Sequence, residues 1–223
     1  MKRTDRESSR TGASRASRHG DEATFETLLG RLRDLPQGHR GSILDGELWV
    51  TEPATGCRAH TLAEIWAMLL AGPSLGDPVP EGWSFLAAPE LRVEPEGLLV
   101  ADLAGWRLPA GEVAGGPPSH APPWVCEVLP PMHSPARVFV LTAKRDAYAG
   151  MGVEHLWVVD PEAEVLEVFH NDRGHWTLLQ ALSQEAEVAA MPFGGMRFDA
   201  RELWVVPSDP LGSPRRGPSS QRK

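Results

Sequence analysis

Two apolar stretches decide the reading of this chain, LLVADLAGW (98–106) and WVCEVL (124–129). Each is nearly continuous in aliphatic and aromatic residues, the pattern of a strand buried on both faces. Each is broken once by an acid, Asp102 in the first and Glu127 in the second. A third charge, Lys144, falls within VFVLTAKRDAYAGM (138–151). There Leu141, Lys144, Tyr148 and Met151 recur at i, i+3, i+7 and i+10, one face of a helix. A charge withdrawn from water costs several kcal/mol unless it is paired or binds a metal, so these three residues require partners.

Working outward, DEATFETLLGRLRDL (21–35) has acids first and then apolar residues at Phe25, Leu28, Leu29 and Leu32. This spacing predicts a helix over 21–33. SILDGELWVT (42–51) is either a strand pair around Asp45-Gly46 or one bent strand. HTLAEIWAMLLA (60–71) is a second amphipathic helix, stopped by Gly72 and Pro73. WSFLAAPELRVE (83–94) and GLLVADLAGWRL (97–108) are two strands joined by a turn at 95–97. After WVCEVL come a Pro-rich linker, the helix over 138–151, and the strands HLWVVD (155–160), VLEVFH (165–170) and HWTLLQAL (175–182). Strands with interspersed helices give an α/β class.

Length admits one domain of ordinary size, placed at 21–206, with disordered basic tails at 1–20 and 207–223. The net charge of −8 divides into +4 over residues 1–20, +3 over 207–223 and −15 over the body between them. An acidic body argues against strong non-specific affinity for nucleic acid, which needs clustered Lys and Arg. No stretch reaches the roughly 18 apolar residues of a membrane span, and the N-terminus has no apolar core of a secretory signal. Cys57 and Cys126 belong to no CxxC pair, which argues against a zinc site; one disulfide is arithmetically possible, and a reducing cytoplasm is the default expectation. No GxSxG marks a serine hydrolase.

If the strands carrying Asp102 and Glu127 are neighbours, both carboxylates point to one edge of a sheet. Such a pair suits Mg²⁺ or Mn²⁺, which take oxygen ligands and leave room for water and phosphate. A lysine beside them is placed to orient or deprotonate a water, or to stabilise charge on a phosphate. The alternatives stay open: Glu127 and Lys144 as a structural ion pair without metal, or Lys144 reaching to solvent along its stem. Glu47, in LDGELW, is either a further metal ligand or a turn residue. His60 reads as a helix-start or solvent residue, and His170 and His175 as surface residues flanking a turn.

The ordered set DGELWV, GWSFLAAPEL, LLVADLAGWR, PPWVCEVLPP and KRDAYAGMGVEHLWVVDPEAEVLEVF resembles the Uma-two-like family of bacterial restriction endonucleases, in the PD-(D/E)XK nuclease superfamily. The resemblance covers about residues 25–205. It implies a restriction-endonuclease-like core, a mixed β-sheet flanked by helices. It also implies a Mg²⁺- or Mn²⁺-dependent DNA endonuclease in which Asp102 and Glu127 are metal ligands and Lys144 and Glu47 complete the catalytic set. Asp102 matches the acid of the PD motif, with Ala101 in place of the proline. Glu127 opens the second motif, whose third position is Leu129 instead of lysine, and Lys144 matches the lysine that the family takes from the next helix. The segment 130–141 departs from the family's Ser-Thr and Asp-containing pattern. This keeps a second reading in view, an inactive nuclease fold that binds nucleic acid or protein. DNA is the implied partner, and nucleases that cut both strands commonly act as homodimers.

Overall fold

A computed structural model describes residues 24–71, 82–107, 120–183, 187–193 and 196–204. Both tails, read as disordered from sequence, lie outside these residues. The architecture turns on a bent two-stranded ribbon. The two strands expected at 83–94 and 97–108 are each broken, giving β3 (Trp83–Ala87), β4 (Glu90–Val93), β5 (Gly97–Val100) and β6 (Leu103–Arg107). β4 pairs with β5 and β3 with β6, so the ribbon runs through two different sheets. The bend falls at Ala88-Pro89 on one strand and Ala101-Asp102 on the other. Ala88 takes φ of 51°, and Pro89 has no N–H to offer a ladder. Two main-chain bonds stitch the bend, Ala88 N–H to the Asp102 carbonyl (2.9 Å) and Ala101 N–H to the Pro89 carbonyl (3.3 Å). The apolar pattern runs on through the bend, so periodicity alone shows one strand where there are two.

β1 (Arg40–Leu44) and β2 (Glu47–Thr51) form the hairpin around Asp45-Gly46. Both turn residues have positive φ, 52° and 74°, the requirement of a tight hairpin turn, which settles the strand pair over the bent strand. They complete a four-stranded antiparallel sheet, β2-β1-β5-β4. The second sheet has six strands in the order β10-β9-β8-β7-β6-β3, with β7 (Trp124–Val128), β8 (His155–Asp160), β9 (Val165–Asp172) and β10 (His175–Ser183). Only β7 and β8 run parallel, so this sheet is mixed. The parallel pair needs a crossover. It is supplied by α3 (Pro135–Phe139), a single π turn (Val140–Lys144) and α4 (Arg145–Met151), which continue one another. Pro135 at the first helical turn explains a start three residues earlier than expected.

Each face of the mixed sheet is covered. Trp124, Cys126 and Val128 of β7 pack with Ile65, Met68 and Leu69 of α2 (Gly56–Ala71) and with Phe193 and Leu203. Val125 packs on the other face with Phe139, Val140 and Tyr148 of the crossover. β7 is buried along its whole length, as its unbroken apolar run requires. α1 (Phe25–Arg33) is capped by Thr24, whose hydroxyl accepts from the Thr27 N–H, and closes a third, smaller cluster with Leu28, Ile43 and Leu98. α2 begins four residues before the expected start at His60. Two short strands, β11 (Glu187–Val188) and β12 (Phe198–Asp199), and a 3₁₀ turn over Ala200–Leu203 finish the described chain.

Candidate active site

Asp102 sits on the bend of the ribbon, where β5 leaves one sheet and β6 enters the other. β6 and β7 are antiparallel neighbours with Leu103 opposite Cys126, so Asp102 falls beside Glu127. Strand alternation places Glu127 on the Val125 face of β7, toward the crossover helix, and Lys144 and Tyr148 meet it there. All three charges singled out above are deeply buried, with Asp102 at 5%, Glu127 at 2% and Lys144 at 5% exposure. Lys144 therefore does not reach for solvent.

The partners are specific. Lys144 Nζ donates to the Val100 carbonyl (2.7 Å) and lies 2.8 and 2.9 Å from the two carboxylate oxygens of Glu127. The Tyr148 hydroxyl donates to Glu127 Oε1 (2.6 Å). Asp102 is held by two guanidiniums. Arg58 Nη2 contacts both of its oxygens (2.7 and 2.9 Å), and Arg40 Nη1 contacts Oδ1 (3.0 Å). Asp102 Oδ2 also accepts the Val128 N–H (2.9 Å), while Arg58 Nε donates to the Val128 carbonyl (2.8 Å). The Asp102–Arg58 pair thus satisfies both main-chain polar groups at the end of β7.

These surroundings shift proton affinities. Burial pushes the Glu127 carboxyl above its ordinary range and Asp102 adds to the rise, while Lys144 and Tyr148 pull against it. Burial raises the Tyr148 hydroxyl, and Glu127 beside it raises it further. Burial also raises the Cys126 thiol, with smaller contributions from the two acids, so it behaves as a small apolar side chain.

The donor set bears on whether a metal fits. Two carboxylates and nearby carbonyls have the right chemistry for a hard cation. Their lone pairs, however, are already committed to Arg58, Arg40, Lys144, Tyr148 and the Val128 N–H. The cavity among Arg40, Ser42, Arg58, Asp102, Glu127 and Lys144 measures about 10 Å³, room for at most one water. Three side-chain cations already face two carboxylates. In this arrangement the centre does not fit a divalent ion, and among the described residues no group of three or more His, Cys, Asp and Glu is placed to hold one.

Glu47 is not brought to this centre. It opens β2 opposite Leu44, at the turn end of the hairpin, whereas Arg40 and Thr51 at the other end reach the site. Four residue steps along the strand separate Glu47 from Thr51, about 13 Å. Glu47 is exposed and lines a separate cavity of about 1080 Å³ with Arg31, Trp49 and Glu94. His60 lies in the second turn of α2, 3.8 Å from Glu64. His170 lies beside His155 with ring centres 5.0 Å apart and planes tilted by 47°, and His175 is exposed at the start of β10.

With this geometry in place, comparison with known proteins becomes specific. The family described as Uma2, "Putative restriction endonuclease", matches residues 24–201, which contain the whole centre. The chain belongs to this family. Among solved structures it is similar to a "putative nuclease belonging to DUF820" from Anabaena variabilis, at 15% identity and a TM-score of 0.56. That match covers 81% of this chain and 96% of the other, and it shows a shared fold. A search of curated proteins found no match.

Within this Uma2 member, Arg58 and Arg40 are the site residues that sequence reading missed. Arg58 was hidden by the late helix start. Once α2 begins at Gly56, Arg58 stands on its buried stripe with Thr61, Ile65, Met68 and Leu69, at i, i+3, i+7, i+10 and i+11. An arginine on an inward stripe is the same signal that exposed Lys144. Arg40 gave no signal, because it precedes the apolar part of its strand.

Proposed function

We propose that this chain is a DNA endonuclease of the restriction-endonuclease type, using Mg²⁺ or Mn²⁺ to hydrolyse phosphodiester bonds. Asp102 and Glu127 are its metal-binding carboxylates and Lys144 its catalytic cation. The observation that carries this reading is the convergence of Asp102, Glu127 and Lys144, from a ribbon bend, a buried strand and a crossover helix, on one buried point. Lys144 is fixed there by Val100 and Glu127, so its ammonium is held without thermal search, which favours orienting a water or stabilising phosphate charge. Tyr148 fixes the other side of Glu127. Arg40, whose side chain is 38% exposed, is the one cation of the centre that reaches the surface, where a DNA phosphate arrives. Asp102 and Glu127 would hold such an ion, which would supply charge neutralisation at the phosphate, only with the Asp102–Arg58 pair open; no step through it follows from the closed arrangement.

One observation favours a second reading. Asp102 is saturated by two guanidiniums, as in an inactive nuclease fold that binds nucleic acid or protein. Plasmid cleavage with Mg²⁺, Mn²⁺ or EDTA separates the two, with Asp102→Asn, Glu127→Gln and Lys144→Met run alongside. Slow, metal-dependent nicking that disappears in each variant is expected. Absence of nicking under every metal condition, with DNA still bound, would establish the binding protein instead.

A further inference from the structure

We infer that Arg58 is a built-in latch that occupies the divalent-cation position at Asp102 and keeps metal out of the centre. The inference rests on the nuclease reading for the identity of the centre, but its test reads metal binding, not cleavage.

The geometry is that of a substituted cation. One Arg58 nitrogen lies 2.7 and 2.9 Å from the two Asp102 oxygens, so it covers the carboxylate edge that a metal would take. Its Nε claims the Val128 carbonyl, whose own N–H is bonded to Asp102 Oδ2. The side chain is 8% exposed and anchored through both Nε and Nη2, whereas Arg40 is 38% exposed and contacts Asp102 through Nη1. A dication added to the present set would face three cations and two carboxylates at short range, where repulsion is weakly screened. Withdrawal of the Arg58 head reverses each obstacle. It releases one contact from each Asp102 oxygen, leaving Oδ1 with Arg40 and Oδ2 with the Val128 N–H, frees the Val128 carbonyl, vacates the space of a guanidinium, and leaves two acids against Lys144 and a half-exposed Arg40.

There is space beside the closed position. Arg58 lines not only the small cavity at Asp102 but also a larger one, about 440 Å³. Glu52 and Glu162 line that cavity and offer a displaced guanidinium new counter-charges. The latch therefore has a closed state on Asp102 and space for an open one.

The test is thermal unfolding of the full chain with and without millimolar Mn²⁺ or Mg²⁺, in the wild type, Arg58→Met, Asp102→Asn and Arg58→Met/Asp102→Asn. Methionine keeps the apolar stem of arginine and removes its charge. A ligand that binds only the folded state raises its melting temperature, by roughly 5 °C or more when it is present at about a hundred times its dissociation constant. Arg58→Met is expected to show such a rise and the double variant to lose it, while the wild type shows no rise that depends on Asp102. The latch is overturned if wild-type protein is stabilised by Mn²⁺ and Asp102→Asn abolishes that effect. It is equally overturned if Arg58→Met melts cooperatively yet ignores both metals. Should Arg58→Met fail to fold, the wild type against Asp102→Asn decides alone. Metal binding by Arg58→Met without plasmid cleavage would sink the nuclease reading and leave the latch standing.

Discussion

At the residue scale, the site was legible wherever a charge interrupted an apolar pattern. Asp102, Glu127 and Lys144 were visible because burying an ionised group is costly, so its presence in a buried run implies a partner. Glu47 was misleading because its setting, beside a tight turn, says nothing about which end of the hairpin meets the rest of the molecule. His155 shows a related case that spacing did not flag. It is 7% exposed, its Nδ1 has no hydrogen-bond partner among the described residues, and it faces His170 across the strand pair. Burial lowers its proton affinity below the ordinary 6.5, with His170 and Arg107 adding to this and Glu154 opposing it. The unfolded chain then binds a proton that the folded chain refuses. This contribution to stability is present above the ordinary histidine range and is lost as pH falls through the lowered value. Melting temperature should decline from neutral pH downward more steeply in the wild type than in His155→Phe. Parallel declines would show that His155 takes no part in the acid response.

At the element scale, lengths and periods gave the strands and helices, and their interruptions escaped notice. The crossover helix was expected as one regular face of Leu141, Lys144, Tyr148 and Met151. The π turn at Val140–Lys144 widens the helix there, and over 138–151 the residues actually buried are Phe139, Val140, Lys144, Tyr148 and Ala149. Such turns recur at functional sites, and sequence gives little sign of them. The ribbon bend was equally silent. One consequence of β3–β6 pairing is specific enough to test. Gly105 lies opposite Phe85, and a Cβ at Gly105 would meet the Phe85 ring at 2.8 and 2.9 Å and Trp83 at 3.1 Å. Those rings, though partly exposed, are held from behind, because both pack on Phe193 and Phe85 also packs on Trp124. Gly105→Ala should therefore cost about 1–3 kcal/mol, read as a lower urea midpoint at unchanged slope. An unchanged midpoint would mean that the aromatic layer is looser than this packing implies.

At the scale of the whole molecule, Asp102 is where the fold is tied together. Its carboxylate joins β1 through Arg40, α2 through Arg58 and β7 through the Val128 N–H, from the point where the ribbon passes between the two sheets. No local pattern announces such a junction, because its partners lie 62, 44 and 26 residues away in sequence. The tie changes what substitution at Asp102 means. Removing one member of a buried ion pair leaves the other uncompensated, at a cost of about 3–5 kcal/mol, whereas replacing both by apolar groups is often neutral. Asp102→Ala should thus be strongly destabilised, and loss of cleavage in that variant alone would not identify a metal ligand. Arg58→Met should likewise be destabilised, and Asp102→Ala/Arg58→Met by much less than the sum of the two. A urea double-mutant cycle measures the coupling, expected at the upper end of the roughly 0.5–3 kcal/mol found for residues in contact. Additive losses would show that Asp102 and Arg58 stabilise the fold independently, and the closed centre would then be held by the sheets themselves and not by its ion pair.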